Sequence, residues 1–197
     1  MFMQRQLIAT TLVTALLAFG AHAQNAVTDT QRDANQQNRI EQGLKSGELT
    51  TREAASLEHK EQRIDRTEAR DMKNGPLSAA EKAQIQREQN RASAAINKDD
   101  HNGKIGNPNS ASSQRMQADV QRNANQEKRI NQGLKSGELT RKEAGSLERG
   151  QAHVDRSEAR AGADGHVGAG EQARIQGKEN RQSKRIYNKK NNDKVQE

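Results

Sequence analysis

The chain has 197 residues, with 33 Lys and Arg against 26 Asp and Glu, a net charge of +7 and no cysteine or tryptophan. The lack of cysteine excludes disulfides, thiolate metal sites, thiol nucleophiles and an N-terminal lipidated cysteine. With 30% hydrophobic and 2% aromatic residues, only a thin core is available, so helix propensity and packing between units must stabilise the fold.

Arg5 supplies a positive start, Leu7 to Phe19 an apolar stretch, and Ala21-His22-Ala23 a small-x-small site before Gln24. This pattern predicts a signal peptide over residues 1–23, cleaved after Ala23, and a periplasmic or secreted chain with no membrane span. Residues 24–30 read as a polar leader. Residues 31–102 and 121–192 are two copies of one unit, agreeing at 37 of 72 positions. Residues 103–120, rich in Gly, Asn, Ser and Pro at their start, read as a flexible linker. Residues 193–197 form a polar tail.

Each copy predicts three helices. The first runs from about Thr30 to Lys45, with Ile40 and Leu44 one turn apart, and Gly43, Ser46 and Gly47 end it. The second opens at a Thr50/Glu53 capping box, carries Ala54, Leu57 and Ile64, and runs to about Lys73 before Asn74-Gly75-Pro76. The third opens at a Ser78/Glu81 capping box and carries Ile85, Ala92 and Ile96. Ile40, Leu44, Leu49, Leu57, Ile64, Leu77, Ile85 and Ile96 face Ile130, Leu134, Leu139, Leu147, Val154, Val167, Ile175 and Ile186 in the second copy. That register predicts an all-α fold, a tandem duplication of a three-helix (helix-turn-helix-turn-helix) unit, and the small cores predict that the units pack together or on a partner.

The turns share a pattern: Gly47-Glu-Leu-Thr50-Thr-Arg-Glu53, Gly75-Pro-Leu-Ser78-Ala-Ala-Glu81, Gly137-Glu-Leu-Thr140-Arg-Lys-Glu143 and Gly165-His-Val-Gly-Ala-Gly-Glu171. It resembles the second half of an EF-hand loop, where the glycine turns the chain and the final Glu chelates Ca²⁺. The first half departs from that family. Its first ligand would fall on Gln42, Arg70, Gln132 and Arg160, and its third on Leu44, Met72, Leu134 and Gly162. Only Ser46, Asn74, Ser136 and Asp164 suit the fifth. The turns therefore read as helix corners with caps, with no metal or other cofactor expected. A Ca²⁺ binder through degenerate EF-hand-like loops is the alternative.

Leu49-Thr-Thr-Arg-Glu53 and Leu139-Thr-Arg-Lys-Glu143 are similar to the Leu-Thr-x-x-Gln motif of small periplasmic stress chaperones, with Glu in place of Gln. That resemblance implies an all-helical, client-binding protein. The chain as a whole resembles a group of short secreted proteobacterial helical-repeat proteins with the signature Asn-Arg-Ile-x-Gln-Gly-x-x-Ser-Gly-Glu-Leu-Thr. Both copies carry it almost completely, and it implies no particular activity.

His59, His101, His153 and His166 have no histidine counterparts in the other copy. Glu53, Glu58, Asp65, Glu68 and Glu81 all have acidic counterparts, but with arginines at helical spacing they read as solvated, salt-bridged faces. No catalytic constellation appears, so no enzyme is expected. The charge is uneven: copy one has 13 basic and 13 acidic residues, copy two 16 and 9. Arg181, Lys184, Arg185, Lys189 and Lys190 form a candidate anion-binding set, giving the alternative of a polyanion or envelope-surface binder. The expectation from the sequence is a non-enzymatic envelope protein that binds a protein partner through partly exposed edges of its apolar positions.

Overall fold

The structure, a computed structural model, describes residues 17–193, with side chains from residue 26 onward. Most of the predicted signal peptide and the end of the polar tail lie outside the described residues. Six helices follow in order: α1 (Leu17–Ser46), α2 (Thr51–Asp71), α3 (Ala79–Asp100), α4 (Ala111–Ser136), α5 (Arg141–Ala161) and α6 (Ala169–Lys190). The fold is all-α, with two three-helix sub-bundles, α1–α3 and α4–α6, consistent with the tandem three-helix repeat.

The same hydrogen bonds recur in both sub-bundles. Arg32 donates to Asn90 and Arg122 to Asn180, each at 2.6 Å. Gln36 donates to the Gln89 carbonyl at 2.7 Å and Gln126 to the Glu179 carbonyl at 3.0 Å. Duplication therefore preserved the seating of the third helix on the first.

Across the repeats, α1 lies antiparallel on α4. Asn131 on α4 donates to Thr30 on α1 at 2.8 Å, while Gln117, earlier on α4, reaches the Leu44 carbonyl at 3.4 Å. Near the middle, Lys128 donates to its own counterpart Asn38, 90 positions away, at 3.1 Å. Helices α2 and α5 are antiparallel too: Arg52 bonds the Asp164 carbonyl at one end, and Gly145 packs on Met72 and Ala69 at the other. The copies are thus related by an approximate twofold axis through the α1/α4 and α2/α5 crossings. A Cβ on Gly145 would lie 2.8 Å from Met72 Cβ, so glycine there lets α5 approach α2 closely.

The cores are shared between copies. Ile40, Leu44, Leu49, Leu57 and Ile96 pack with Met116, Val120, Val154, Val167 and Ile175. Ile130, Leu134, Leu139, Leu147 and Ile186 are joined by Ala26 and Met72 from the first sub-bundle. All sixteen paired apolar residues are buried, Leu77 being the most accessible at 4%. This corrects the expectation of partly exposed edges: each copy covers the apolar stripe of the other.

Three boundaries differ from those expected. Helix α1 starts at Leu17, so the polar leader 24–30 is helical; Ala26 and Thr30 are buried against α4, and packing overrides the weak local propensity. Helix α4 starts at Ala111, capped by Ser110, so residues 111–120 of the expected linker are helix, with Met116 and Val120 in the core. Gly106 N–H bonds the Gly47 carbonyl at 2.8 Å and so ties the remaining connection to the first turn. After α2 the chain makes one 3-10 turn, Met72–Asn74, where the α-helix was expected to continue to Lys73.

The caps form as their sequences dictate. Thr50/Glu53, Ser78/Glu81 and Thr140/Glu143 are reciprocal capping boxes. Gly168 has no side chain to accept from the Glu171 N–H, and only Glu171 reaches back, accepting from the Gly168 N–H at 2.9 Å. Gly47 and Gly137 end α1 and α4 at φ 81° and 77°, where any Cβ would be strained. Among the described residues no helix is long and apolar enough to cross a membrane.

Candidate metal centre

On α2, Glu58, Glu61, Asp65 and Glu68 recur every three or four residues, and therefore line one stripe. On α5, Glu148, Gln151, Asp155 and Glu158 repeat that stripe. Helix α1 adds Asp29, Asp33 and Gln37, and α4 adds Asp119, Asn123 and Glu127 at the matching positions. Because α2 crosses α5 and α1 crosses α4, all four stripes face the interior. Every one of these residues is buried: Glu58, Glu68, Glu148 and Glu158 are 0% exposed and Asp65 2%. The expectation that Glu58, Asp65 and Glu68 sit on solvated, salt-bridged faces is therefore corrected. Their stripe lies beside Leu57 and Ile64, and both are enclosed by α5 and its neighbours.

Among the described residues, no lysine, arginine or histidine forms an ion pair with Asp33, Glu58, Glu61, Asp65, Glu68, Glu127, Glu148, Asp155 or Glu158. Neutral amides serve some of their oxygens. Gln37 donates to Glu58 Oε2 at 3.0 Å, and Gln89 to Asp33 Oδ1 at 2.8 Å and Glu68 Oε1 at 3.3 Å. Asn123 donates to Asp155 Oδ1 and, at 3.4 Å, to Glu158 Oε2, and is itself held by Gln151. The opposite oxygens, Glu58 Oε1, Glu68 Oε2, Asp155 Oδ2 and Glu158 Oε1, have no hydrogen-bond partner, and neither oxygen of Glu61 or Glu148 has one. A buried carboxylate without a partner is costly, so these groups must hold protons or a cation.

Burial is the leading cause of their altered acidity, reinforced by mutual repulsion. It pushes Glu58 up to about 8, helped by Asp155, and Asp155 up to about 7 against the Asn123 hydrogen bond. Asp33 rises to about 7 against the Gln89 hydrogen bond. Burial first, then neighbouring carboxylates, also raise Glu61, Asp65, Glu68, Glu127, Glu148 and Glu158 well above the ordinary range.

Two sets of three carboxylates converge. Glu58, Asp155 and Glu158 form one, and Asp65, Glu127 and Glu148 the other; within each set the ligand oxygens lie within 4.8 Å of one another. Each carboxylate turns one oxygen inward, so a set supplies three anionic oxygens toward the six to eight that a hard cation takes. In the first set Gln37 and Asn123 fix the outer oxygens and leave the inner ones free, the role of second-shell partners in metal sites.

The other residues singled out in the sequence are engaged elsewhere. Glu53 accepts from Thr50 N–H at 3.1 Å, Asn102 at 2.7 Å and the Lys104 ammonium at 2.9 Å. Burial alone would raise its pKa, but these bonds outweigh it and bring it down to about 2. Glu143 accepts from Thr140 N–H at 3.2 Å and Asn192 at 2.7 Å, with Lys189 at 3.8 Å. The last carboxylates of these two EF-hand-like turns thus close helix caps. His59, His101, His153 and His166 are exposed.

Within the basic set, Lys189 faces Glu143, Lys190 pairs with Glu138 at 3.2 Å and Arg185 bonds the Ser146 carbonyl at 2.9 Å, while Arg181 and Lys184 are exposed. A groove of about 460 Å³ between α2 and α5 is lined by Arg52, His59, Arg156 and Arg160 and by none of the core carboxylates. No family model, curated protein or solved structure matches the chain at a significant level.

Proposed function

We propose that this is an exported, non-enzymatic cation-binding protein whose helical bundle encloses a carboxylate core. Buried Glu and Asp oxygens, turned inward in two sets of three with no cationic side chain against them, carry this reading. The bundle works as an exchanger. In acid the carboxyls keep their protons and the core is neutral; as pH rises they give up protons and a cation takes their place. An all-oxygen set favours hard cations over the metals that prefer sulfur or imidazole. The N-terminal Arg5, Leu7–Phe19 and Ala21–Ala23 pattern supports an extracytoplasmic setting.

The test is thermal melting of the chelator-stripped chain by circular dichroism near pH 7.5, before and after adding Mg²⁺, Ca²⁺, Mn²⁺ or La³⁺. Saturation at ~100 times the dissociation constant stabilises by about 2.7 kcal/mol. For a chain of this size that raises Tm by roughly 5–10 °C. A melt indifferent to every one of these ions contradicts the reading.

A further inference from the structure

We infer that the core is a two-cation centre selective for hard trivalent ions, its two sites built on one plan but closed by different third carboxylates. This rests on the cation-binding reading. The approximate twofold axis exchanges Glu58 with Glu148 and Asp155 with Asp65, so each site takes one Glu and one Asp from opposite copies. The third ligand breaks the symmetry: Glu158, from α5, completes the first site, and Glu127, from α4, the second.

The amide donors explain the difference. In the first copy, Gln37 occupies the place of Glu127 and donates to Glu58 instead of adding a charge. Gln89 draws Glu68, the counterpart of Glu158, toward Asp33. In the second copy Gln89 is replaced by Glu179, which pairs with Arg122 at 3.2 Å and has no amide to donate, so Glu158 is released to its site.

Independent of the clustering, every one of the six ligands keeps at least one oxygen with no hydrogen-bond partner while being at most 2% exposed. Charge then selects the ion. Three carboxylates enclosed without a cationic side chain are neutralised by three positive charges; a divalent ion leaves one negative charge buried. A trivalent ion balances each site, displacing the protons its ligands carried.

The experiment is calorimetric titration of La³⁺ into the chelator-stripped full chain near pH 6.5, repeated on Glu127→Gln and Glu158→Gln and in excess Ca²⁺. We expect two La³⁺ per chain, one in each variant, and La³⁺ retained against a ~1000-fold excess of Ca²⁺. Both variants remove an unpartnered buried acid, so their ion-free Tm rises while a site is lost; a purely structural role moves stability and leaves the count unchanged. One La³⁺ per unmodified chain, or two in either variant, overturns the paired sites and leaves the cation reading standing. Displacement of La³⁺ by equimolar Ca²⁺ overturns the charge selection. Binding of neither ion overturns both proposals.

Discussion

Replacing Glu58 by Gln isolates the cost of the carboxylate core. Glu58 is fully buried, and burial followed by repulsion from Asp155 pushes it from the ordinary 4.5 up to about 8. Between those values the folded chain binds a proton that the unfolded chain has lost, so stability falls as pH rises. Near pH 7.5 that span is about three pH steps at ~1.4 kcal/mol each, or about 4 kcal/mol in the ion-free state. Gln does not titrate, fills the same space and can still accept from Gln37. Ion-free Glu58→Gln should therefore melt roughly 8–16 °C higher near pH 7.5 and match the unmodified chain near pH 4. The assay is a pair of circular dichroism melts in chelator at the two pH values. An unchanged or lower Tm near pH 7.5 would refute the claim that this acid lies uncompensated in the core.

The ion-free chain as a whole should be most stable near pH 4, where the buried acids keep their protons in both the folded and the unfolded chain. Stability should decline as pH rises from there and level off above the raised values of about 7 for Asp33 and Asp155 and about 8 for Glu58, as read by denaturant midpoints across that range. Glu53→Gln should act in the opposite sense. Its depressed value, about 2, contributes stability above pH 4.5 that is lost as pH falls through 2, so the substitution should cost about 1 kcal/mol at neutral pH, measured by urea unfolding. Gly145→Ala places a Cβ 2.8 Å from Met72 Cβ and should cost ~1–3 kcal/mol in the same assay. Gly137→Ala meets open space but sits at φ 77°, so its cost should be ~1–2 kcal/mol from the backbone alone.

The apolar register and the caps were legible because each is a local rule repeated twice. Leu57 and Leu147, or Thr50 and Thr140, state the same thing in both copies. The carboxylate stripe was written just as regularly, yet acids at three- and four-residue spacing occur equally on a solvated helix face. What separates the cases is partner geometry: α2 is enclosed by α5, so the positions beside Leu57 and Ile64 turn inward as well. One signal was available. Glu58, Asp65 and Glu68 kept their charge after duplication while His59, Lys60 and Arg63 around them changed to Arg149, Gly150 and His153. In the first copy those changed positions are exposed or half-buried, whereas the three acids are buried. The start of α1 was not legible, since residues 24–30 are helical through their contact with α4, which lies some hundred positions further along.

The exchange of protons for cations is tested most directly by adding La³⁺ to the chelator-stripped chain near pH 6.5 in a pH-stat while counting bound metal. Exchange at the carboxylate core predicts bound cations, with more than one proton released for each, and both signals lost when the titration is repeated near pH 4. Metal uptake without proton release, or no uptake at either pH, would contradict it.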